Sequence, residues 1–230
     1  MSASHPQAHN LPRGDALLSA RVKEAVRALL APVVRLAIRL HVTPNGVTVA
    51  GFLIVAAAAV LVALGQLVAG AALLVAGSLL DAVDGALARA TGGTTAFGSF
   101  LDSTLDRAAE AILYGALAAY YLRLATDPVG PVLLALVALA GSFMVSYTRA
   151  KAEGIGFTAS VGLAPRTERL VIIVAGITLA GIGLQIGLIG AMAAVAILSV
   201  ATTIQRIWHV RQLAVASEGP AGMSDGSQES

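Results

Sequence analysis

Four aspartates stand close together in a chain that is otherwise almost continuously apolar. Asp81 and Asp84 are three residues apart, and Asp102 and Asp106 are four residues apart, so each pair shares one face of a helix. Ionisable side chains at membrane depth are costly, and four acids cannot neutralise one another. Oxygen ligands of this kind suit Mg²⁺ and similar hard cations. The spacing therefore predicts two helix ends that clamp a pair of divalent metal ions.

The composition of the whole chain places these acids in a membrane protein. Of its 230 residues, 57% are hydrophobic and 12% are charged, and the mean hydropathy is +0.82. These values are typical of polytopic membrane proteins. Cysteine is absent and the four histidines are scattered, which excludes disulfides and thiolate metal sites and argues against zinc. We expect membrane lipids, and no nucleic acid, among its partners.

Apolar stretches broken by Gly, Pro and charged residues predict an all-α integral membrane protein with six transmembrane helices. No charged residue occurs between Arg39 and Asp81 or between Arg169 and Arg206, and each gap has room for two spans of about 20 residues. The link Thr91–Thr95 is predicted to be a tight turn near the water interface. The predicted spans are Val47–Leu67, Ala69–Ala88, Gly98–Leu122, Gly130–Ala150, Glu168–Leu184 and Leu188–Trp208.

The remaining segments flank this six-helix membrane domain, which is assigned to residues 41–210. Residues 15–40 carry charged side chains on one arc of a helix and apolar side chains on another. That pattern predicts an amphipathic helix lying in the membrane interface ahead of the first span. Residues 1–14 and the Gly-, Ser- and Glu-rich tail, residues 211–230, are predicted to be disordered.

The basic residues predict how the chain is oriented in the membrane. Of the 15 Lys and Arg residues, Arg123 alone falls on one side of the predicted spans, which leaves fourteen on the other. The positive-inside rule then puts both termini and the aspartates at the cytoplasmic face of the cell (plasma) membrane. A nucleotide-activated lipid head group would be reached from that side.

The segment around the aspartates resembles the signature of the CDP-alcohol phosphotransferases, integral membrane enzymes of phospholipid synthesis. It reads Asp81-x2-Asp84-Gly85-x2-Ala88-Arg89-x8-Gly98-x3-Asp102-x3-Asp106, and all eight fixed positions and all spacings match. The resemblance implies that an alcohol attacks the lipid-bearing phosphorus of CDP-diacylglycerol and that CMP leaves. It also implies two Mg²⁺ ions, with Mn²⁺ as an alternative, bound by Asp81, Asp84, Asp102 and Asp106. Asp106 would in addition be the general base, which the charge argument alone does not decide.

The same resemblance implies which residues contact CDP-diacylglycerol. Gly85 would let the cytidine nucleotide approach the backbone, with close helix packing as the alternative interpretation. Arg89 would pair with the phosphates. The segment Thr43–Thr48 resembles the one that opens the first span in the family, with an ordinary turn and helix cap as the alternative. The implied contacts are Asn45, Gly46, Val47, Thr48, Gly85, Arg89 and Thr95.

A second basic group surrounds the end of the fourth span and the start of the fifth. Cations and a hydroxyl beside a metal cluster suit an acceptor that carries a phosphate, although topology alone also explains Lys151 and Arg166. The stretch SYTRAKAEG, which begins at Ser146, resembles the actinobacterial phosphatidylinositol phosphate synthases. Those enzymes are homodimers that use inositol 1-phosphate. The expected ligands of the acceptor phosphate are Ser146, Arg149, Lys151, Arg169 and Arg206.

Two other functions stay open on the sequence. Glycerol 3-phosphate also carries a phosphate, so a phosphatidylglycerol phosphate synthase fits the same basic group. A cation transporter would spread its acids along the bundle with inverted symmetry between halves. The acids of this chain form one block instead, which favours the enzyme.

Overall fold

Helices account for all the regular structure that the computed structural model describes, which covers residues 31–159 and 161–218. Residues 31–39 are the described part of α1. The longer helices in the described chain are α2 (Pro44–Ala63), α3 (Leu67–Thr91), α4 (Ala96–Leu124), α5 (Val129–Gly154), α6 (Arg166–Gly181) and α7 (Gln185–Glu218). The predictions made for residues 1–30 and 219–230 lie outside the described residues.

Several of these helices suit a lipid bilayer. Within the described ranges, four helices, α2, α3, α5 and α7, are long and apolar enough to cross a membrane. Helix α4 has 29 residues, but its first half carries the charged residues of the signature, and α6 has 16 residues. Each predicted span overlaps one of the helices α2–α7. The described chain is therefore all-helical and multi-pass.

Capping residues explain where α2 begins and where α3 ends, next to the site. Thr43 is the N-cap of α2, where its Oγ1 accepts a hydrogen bond from the Gly46 N–H at 3.2 Å, and Pro44 follows as the first helical residue. Helix α3 ends at Thr91 and is capped by Gly92, whose φ of +65° is left-handed. Glycine adopts that conformation without the steric cost that other residues meet.

Helix α4 begins directly after the turn. Thr95 is its N-cap, and the Thr95 Oγ1 accepts a hydrogen bond from the Gly98 N–H at 2.9 Å. The predicted turn at Thr91–Thr95 is confirmed, with the adjustment that Thr91 still belongs to α3. The short turn and its two caps thus set the end of α3 and the start of α4, which carry the four aspartates.

An apolar core holds the helices together below the site. Its fully buried side chains include Leu74 of α3, Leu117 of α4, Ile173 and Ile177 of α6, and Met192 of α7. Helix α2 packs on α3 and α4, α5 on α4 and α7, and α6 on α3 and α7. Since α4 and α6 pack into this core, their charged ends are held in place by buried apolar contacts.

The last helix is longer than the sequence predicted. Helix α7 continues to Glu218, whereas the disordered tail was predicted to begin at residue 211. The residues after Trp208 include good helix formers such as Gln, Leu and Ala, and no Gly or Pro interrupts them before Gly219. Residues 211–218, which the sequence assigned to the tail, are therefore helical.

Candidate active site

Helices α3 and α4 bring three of the four aspartates together. One carboxylate oxygen from each of Asp81, Asp102 and Asp106 lies within 4.8 Å of the other two. Three oxygen ligands at this separation fit a divalent cation such as Mg²⁺ or Mn²⁺. We call these three residues the carboxylate cluster. The i, i+4 spacing that the sequence showed for Asp102 and Asp106 places both on one face of α4, as expected.

Asp84 is held differently. Its side chain is buried, and its Oδ2 accepts a hydrogen bond of 2.6 Å from the Thr48 hydroxyl of α2. The fourth predicted ligand therefore lies beside the carboxylate cluster but is oriented by a neighbouring helix. Thr48 was a predicted nucleotide contact or helix cap, and in the structure Thr43 is the cap. The bond from Thr48 to Asp84 joins residues 36 positions apart.

Arg166, the first residue of α6, inserts its guanidinium between two of the clustered carboxylates. Its NH1 lies 2.8 Å from Asp81 Oδ2 and its NH2 lies 2.7 Å from Asp106 Oδ1. The guanidinium thus offsets part of the negative charge of the cluster and ties α6 to α3 and α4. The sequence left Arg166 open between a contact for the acceptor phosphate and a residue that sets membrane topology, because no local pattern indicates its pairing with Asp81, 85 positions away.

The loop-side cavity lies between the start of α2, the end of α3 and the turn before α4. Its lining includes Asp84 and Asp102 together with five predicted nucleotide contacts, Asn45, Thr48, Gly85, Arg89 and Thr95. A Cβ at Gly85 would stand 3.3 Å from the Arg89 NH1. The missing side chain therefore leaves room for the Arg89 guanidinium, and no neighbouring helix among the described ones closes on it. Neither sequence interpretation of Gly85 foresaw this arrangement.

Two predicted nucleotide contacts lie elsewhere. Val47 is buried in a small apolar cluster with Val83 and Leu87, so its side chain packs inside the bundle. The Gly46 N–H is used by the Thr43 cap. Both predictions came from treating Thr43–Thr48 as one continuous contact segment. The helix that begins at Pro44 instead turns successive side chains in different directions.

The arginine-lined cavity lies on the other side of the carboxylate cluster, between α4, α5, α6 and α7. Its lining includes Asp106 and Ser146, and among the described residues five arginines contribute to it: Arg107, Arg149, Arg166, Arg169 and Arg206. Four of the five predicted acceptor ligands are therefore brought together. Lys151 is exposed and belongs to neither cavity lining, because it follows Arg149 by two positions and so points to another face of α5.

Hydrogen bonds fix several of these cations. The Arg206 Nε donates to the Val161 carbonyl at 2.9 Å, and its NH1 donates to the Val145 carbonyl. Arg107 NH1 donates to the Ser146 hydroxyl. Arg149 is more loosely held, in an exposed pair with Glu153 at 2.8 Å. The cavity therefore presents a preorganised positive surface, with Arg149 at its exposed edge.

The two cavities meet at the carboxylates. Ser99 lines both of them, and Asp102 and Asp106 follow it on successive turns of α4. A ligand in each cavity would bring its reacting end to the same place. The arrangement suits a transfer reaction in which a phosphate-containing donor and an anionic acceptor approach a metal-binding cluster from opposite sides.

Comparison with known proteins agrees with this geometry. A family model described as CDP-alcohol phosphatidyltransferase matches residues 41–217. Phosphatidylinositol phosphate synthase of Corynebacterium glutamicum is 35% identical over 210 residues, which cover 90% of this chain and 96% of the relative.

Two solved structures of phosphatidylinositol phosphate synthase from Mycobacterium tuberculosis superpose on the chain with a TM-score of 0.73 and 32% identity. One has CDP-DAG bound, and the match covers 80% of this chain and 94% of that one. The other is a complex with manganese and citrate, and the match covers 79% and 88%.

Proposed function

The chain belongs to the CDP-alcohol phosphatidyltransferase family, and from that premise we propose that it is a phosphatidylinositol phosphate synthase. It transfers the phosphatidyl group of CDP-diacylglycerol to inositol 1-phosphate and releases CMP. The observation that carries the acceptor assignment is the arginine-lined cavity, which brings cations from α4, α5, α6 and α7 to Asp106. The match to the Corynebacterium glutamicum phosphatidylinositol phosphate synthase, which covers 96% of that relative, supports the same acceptor.

The loop-side cavity is the donor site. CDP-diacylglycerol presents a pyrophosphate and a cytidine, and the cavity offers Arg89 beside hydroxyl and amide groups of Thr95 and Asn45. An arginine is suited to pair with pyrophosphate oxygens through its planar fork of donors. The solved structure of the Mycobacterium tuberculosis relative with CDP-DAG bound supports the donor assignment.

The acceptor phosphate lies among Arg149, Arg169 and Arg206, with the Ser146 hydroxyl beside them. An inositol that carries a phosphate would satisfy these cations, whereas free inositol would leave them without an anion. The acceptor hydroxyl then points towards Asp106 at the edge of the same cavity. This placement is why a phosphorylated acceptor is favoured over a neutral polyol.

The reaction joins these two sites. The acceptor hydroxyl oxygen forms a bond to the lipid-bearing phosphorus, the bond from that phosphorus to the CMP oxygen breaks, and Asp106 takes the hydroxyl proton. Asp81, Asp84, Asp102 and Asp106 would hold two divalent cations, Mg²⁺ or in its place Mn²⁺, which neutralise charge on the pyrophosphate when bound. The cluster geometry supports the presence of a metal, as does the manganese complex of the relative.

We also propose that α4 and α6 cross the membrane, which makes six spans. Helix α6 has 16 residues, which corresponds to roughly 24 Å of helix, and its core residues Ile173 and Ile177 are fully buried in the bundle. Helix α1, described over residues 31–39, lies in the membrane interface ahead of these spans. The sequence bias of Lys and Arg supports cytoplasmic termini and a cytoplasmic active site. The protein acts as a homodimer, which light scattering in detergent would test.

An acceptor panel tests the function. Purified protein is incubated with CDP-diacylglycerol and Mg²⁺, and CMP release is measured with inositol 1-phosphate, free inositol and glycerol 3-phosphate. We expect inositol 1-phosphate to be used at least about tenfold better than free inositol, because free inositol lacks the phosphate that pairs with the cations. It should likewise be preferred to glycerol 3-phosphate, as the name of the Corynebacterium glutamicum relative indicates. Equal use of glycerol 3-phosphate would contradict the acceptor assignment and leave the family assignment intact.

Metal removal and labelling test the remaining proposals. Chelation should abolish CMP release, and Mg²⁺ or Mn²⁺ should restore it, because the carboxylates cannot neutralise the pyrophosphate themselves. A cysteine introduced at Thr94 of the turn should react with a membrane-impermeant reagent only from the cytoplasmic side. Reaction from the outside would overturn the orientation.

A further inference from the structure

Glu110 lies outside the aspartate signature, yet its carboxylate stands between two arginines of the arginine-lined cavity. Arg169 NH2 donates to Glu110 Oε1 at 2.9 Å. Arg107 NH1 lies 2.9 Å from Glu110 Oε2. Only 13% of the Glu110 side chain is exposed, so neither contact is screened as a surface ion pair would be.

The contact with Arg169 is the more constrained of the two. The Arg169 side chain is 2% exposed, although Arg169 lines the cavity. Its NH1 donates to the Ala164 carbonyl at 2.9 Å, and its NH2 is taken by Glu110. The guanidinium is therefore fixed at both terminal nitrogens, by its own helix start and by α4. A buried guanidinium that lost one of these partners would have to move or recruit water.

The contact with Arg107 links Glu110 to the hydroxyl of the cavity. Arg107 NH1 directs its hydrogen bond to the Ser146 hydroxyl of α5, while Glu110 lies close enough to balance its charge. The Glu110 carboxylate thus holds Arg107 of α4 and Arg169 of α6 in place. Through Arg107 it is also linked to Ser146 of α5. Glu110 is not among the described residues that line the arginine-lined cavity; it lines a neighbouring cavity with Asp106 and Arg169. Towards a phosphate in the arginine-lined cavity it would therefore act through its arginine partners.

We propose that Glu110 is a positioning residue for the acceptor phosphate. It holds Arg169 and Arg107 in the orientation in which they bind that phosphate. The inference rests on the proposed function for the identity of the acceptor as inositol 1-phosphate. The expectation that the acceptor carries a phosphate rests on the arginines of the cavity. Loss of the negative charge would strengthen the positive potential of the cavity, and it would also weaken one of the two anchors of each guanidinium group, leaving Arg169 held at Ala164 and Arg107 at Ser146. The positioning effect outweighs the gain in potential, because Arg169 is buried and cannot reach a phosphate from an arbitrary rotamer.

The test compares Glu110→Gln, which keeps the shape and removes the charge, with Glu110→Asp, which keeps the charge on a shorter arm. The matched control is Glu168→Gln, the same chemical change at an exposed position next to Arg169. We expect Glu110→Gln to raise the KM for inositol 1-phosphate about tenfold or more, with the KM for CDP-diacylglycerol within about twofold. Glu110→Asp should recover part of the loss, and Glu168→Gln should match the parent.

Inorganic phosphate provides a readout that does not depend on turnover. Calorimetric titration should show that the purified parent protein binds inorganic phosphate. The Glu110→Gln variant should bind it about tenfold more weakly. In an Arg169→Gln background, adding Glu110→Gln should have a smaller effect, because the two residues act through one contact. An unchanged acceptor KM and phosphate affinity in Glu110→Gln would overturn the inference. So would an equal rise in both Michaelis constants, which would indicate a general loss of structure.

The outcomes separate this inference from the proposed function. A parent protein that binds phosphate but uses another phosphorylated alcohol would refute only the acceptor identity. A parent that uses inositol 1-phosphate, with Glu110→Gln indistinguishable from it, would refute only the role of Glu110. A parent that does not bind phosphate would refute both.

Discussion

The two cavities on either side of the aspartates are built in different ways. The loop-side cavity takes most of its lining from the end of α3, the turn and the start of α4, residues 84–102, with α2 added from the side. The arginine-lined cavity collects residues from Ser99 to Arg206, on four helices of the described chain. The first is shaped by helix caps and glycines, and the second by ion pairs and hydrogen bonds between distant helices.

This difference indicates which parts of the chain determine the specificity of each cavity. The loop-side cavity, proposed as the donor site, lies mostly within one short stretch, and its residues can be predicted from their spacing because neighbouring turns of a helix have fixed geometry. The arginine-lined cavity, proposed as the acceptor site, depends on how the helices pack and on partners such as Glu110. Mutations at the loop side should act one residue at a time, whereas mutations on the arginine side should be coupled.

The largest expected effect concerns what the cavities share. Changing Asp81, Asp84 or Asp102 to Asn should lower turnover roughly a thousandfold, since charge neutralisation at the transferring phosphate is worth several kcal/mol. CMP release by purified protein measures this effect. Asp127→Asn, at an exposed loop on the far side of the bundle, serves as the control and should retain activity. Retained turnover in all three site variants would refute the proposed metal-binding role of these aspartates.

Arg169→Gln should separate the two cavities. The buried guanidinium contributes a charge-assisted bond, so we expect the KM for inositol 1-phosphate to rise about ten- to a hundredfold. The KM for CDP-diacylglycerol should change little, because Arg169 does not line the loop-side cavity among the described residues. Steady-state kinetics with each substrate varied in turn provide the measurement. A matched rise in both constants would break the distinction between the cavities.

Arg89→Gln is the mirror experiment on the loop side. Loss of the cation beside Gly85 should raise the KM for CDP-diacylglycerol about tenfold and leave the acceptor KM near that of the parent. The same pair of kinetic titrations shows the contrast directly. If Arg89→Gln mainly weakened the acceptor, the donor site would have to be reassigned.

A smaller effect should distinguish the edge of the arginine-lined cavity from its interior. The Arg149 side chain is 55% exposed, so Arg149→Gln should raise the acceptor KM only about two- to fivefold, as expected for a solvent-screened charge. Lys151→Gln, two residues further along α5, should leave both constants unchanged because Lys151 lies outside the cavity lining. A larger effect at Lys151 than at Arg149 would mean that α5 is rotated.

The smallest effect concerns the helix caps that shape the loop side. Thr95→Ala removes the oxygen that accepts from the Gly98 N–H and should lower stability by about 1 kcal/mol. A thermal melt in detergent measures this loss, and Thr95→Ser should restore most of it, since serine is also a good cap. Catalysis at saturating substrate should fall less than twofold. A full loss of activity at saturating substrate in Thr95→Ala would instead give Thr95 a role in the chemical step, beyond capping α4 and lining the donor cavity.

The sequence by itself determined the apolar helices, the turn at residues 92–95 and the pairing of aspartates on helix faces. Each of these follows from spacing along one helix or from the chemistry of one turn, which neighbouring residues fix. It also predicted most of the residues that line the loop-side cavity. Gly46 and Val47 are not among the described lining residues, because the sequence did not show which way the side chains of the first turn of α2 point.

Only the tertiary structure decided the rest of the site. Arg166 reaches Asp81 across 85 positions, and Glu110 reaches Arg169 across 59. The sequence could not distinguish Arg149, which lines the cavity, from Lys151, which does not. An arginine has the same local signature whether it sets membrane topology or pairs with a distant carboxylate. Its partner is fixed by how α4, α5, α6 and α7 pack together, because ion pairs between helices depend on packing that no single segment encodes.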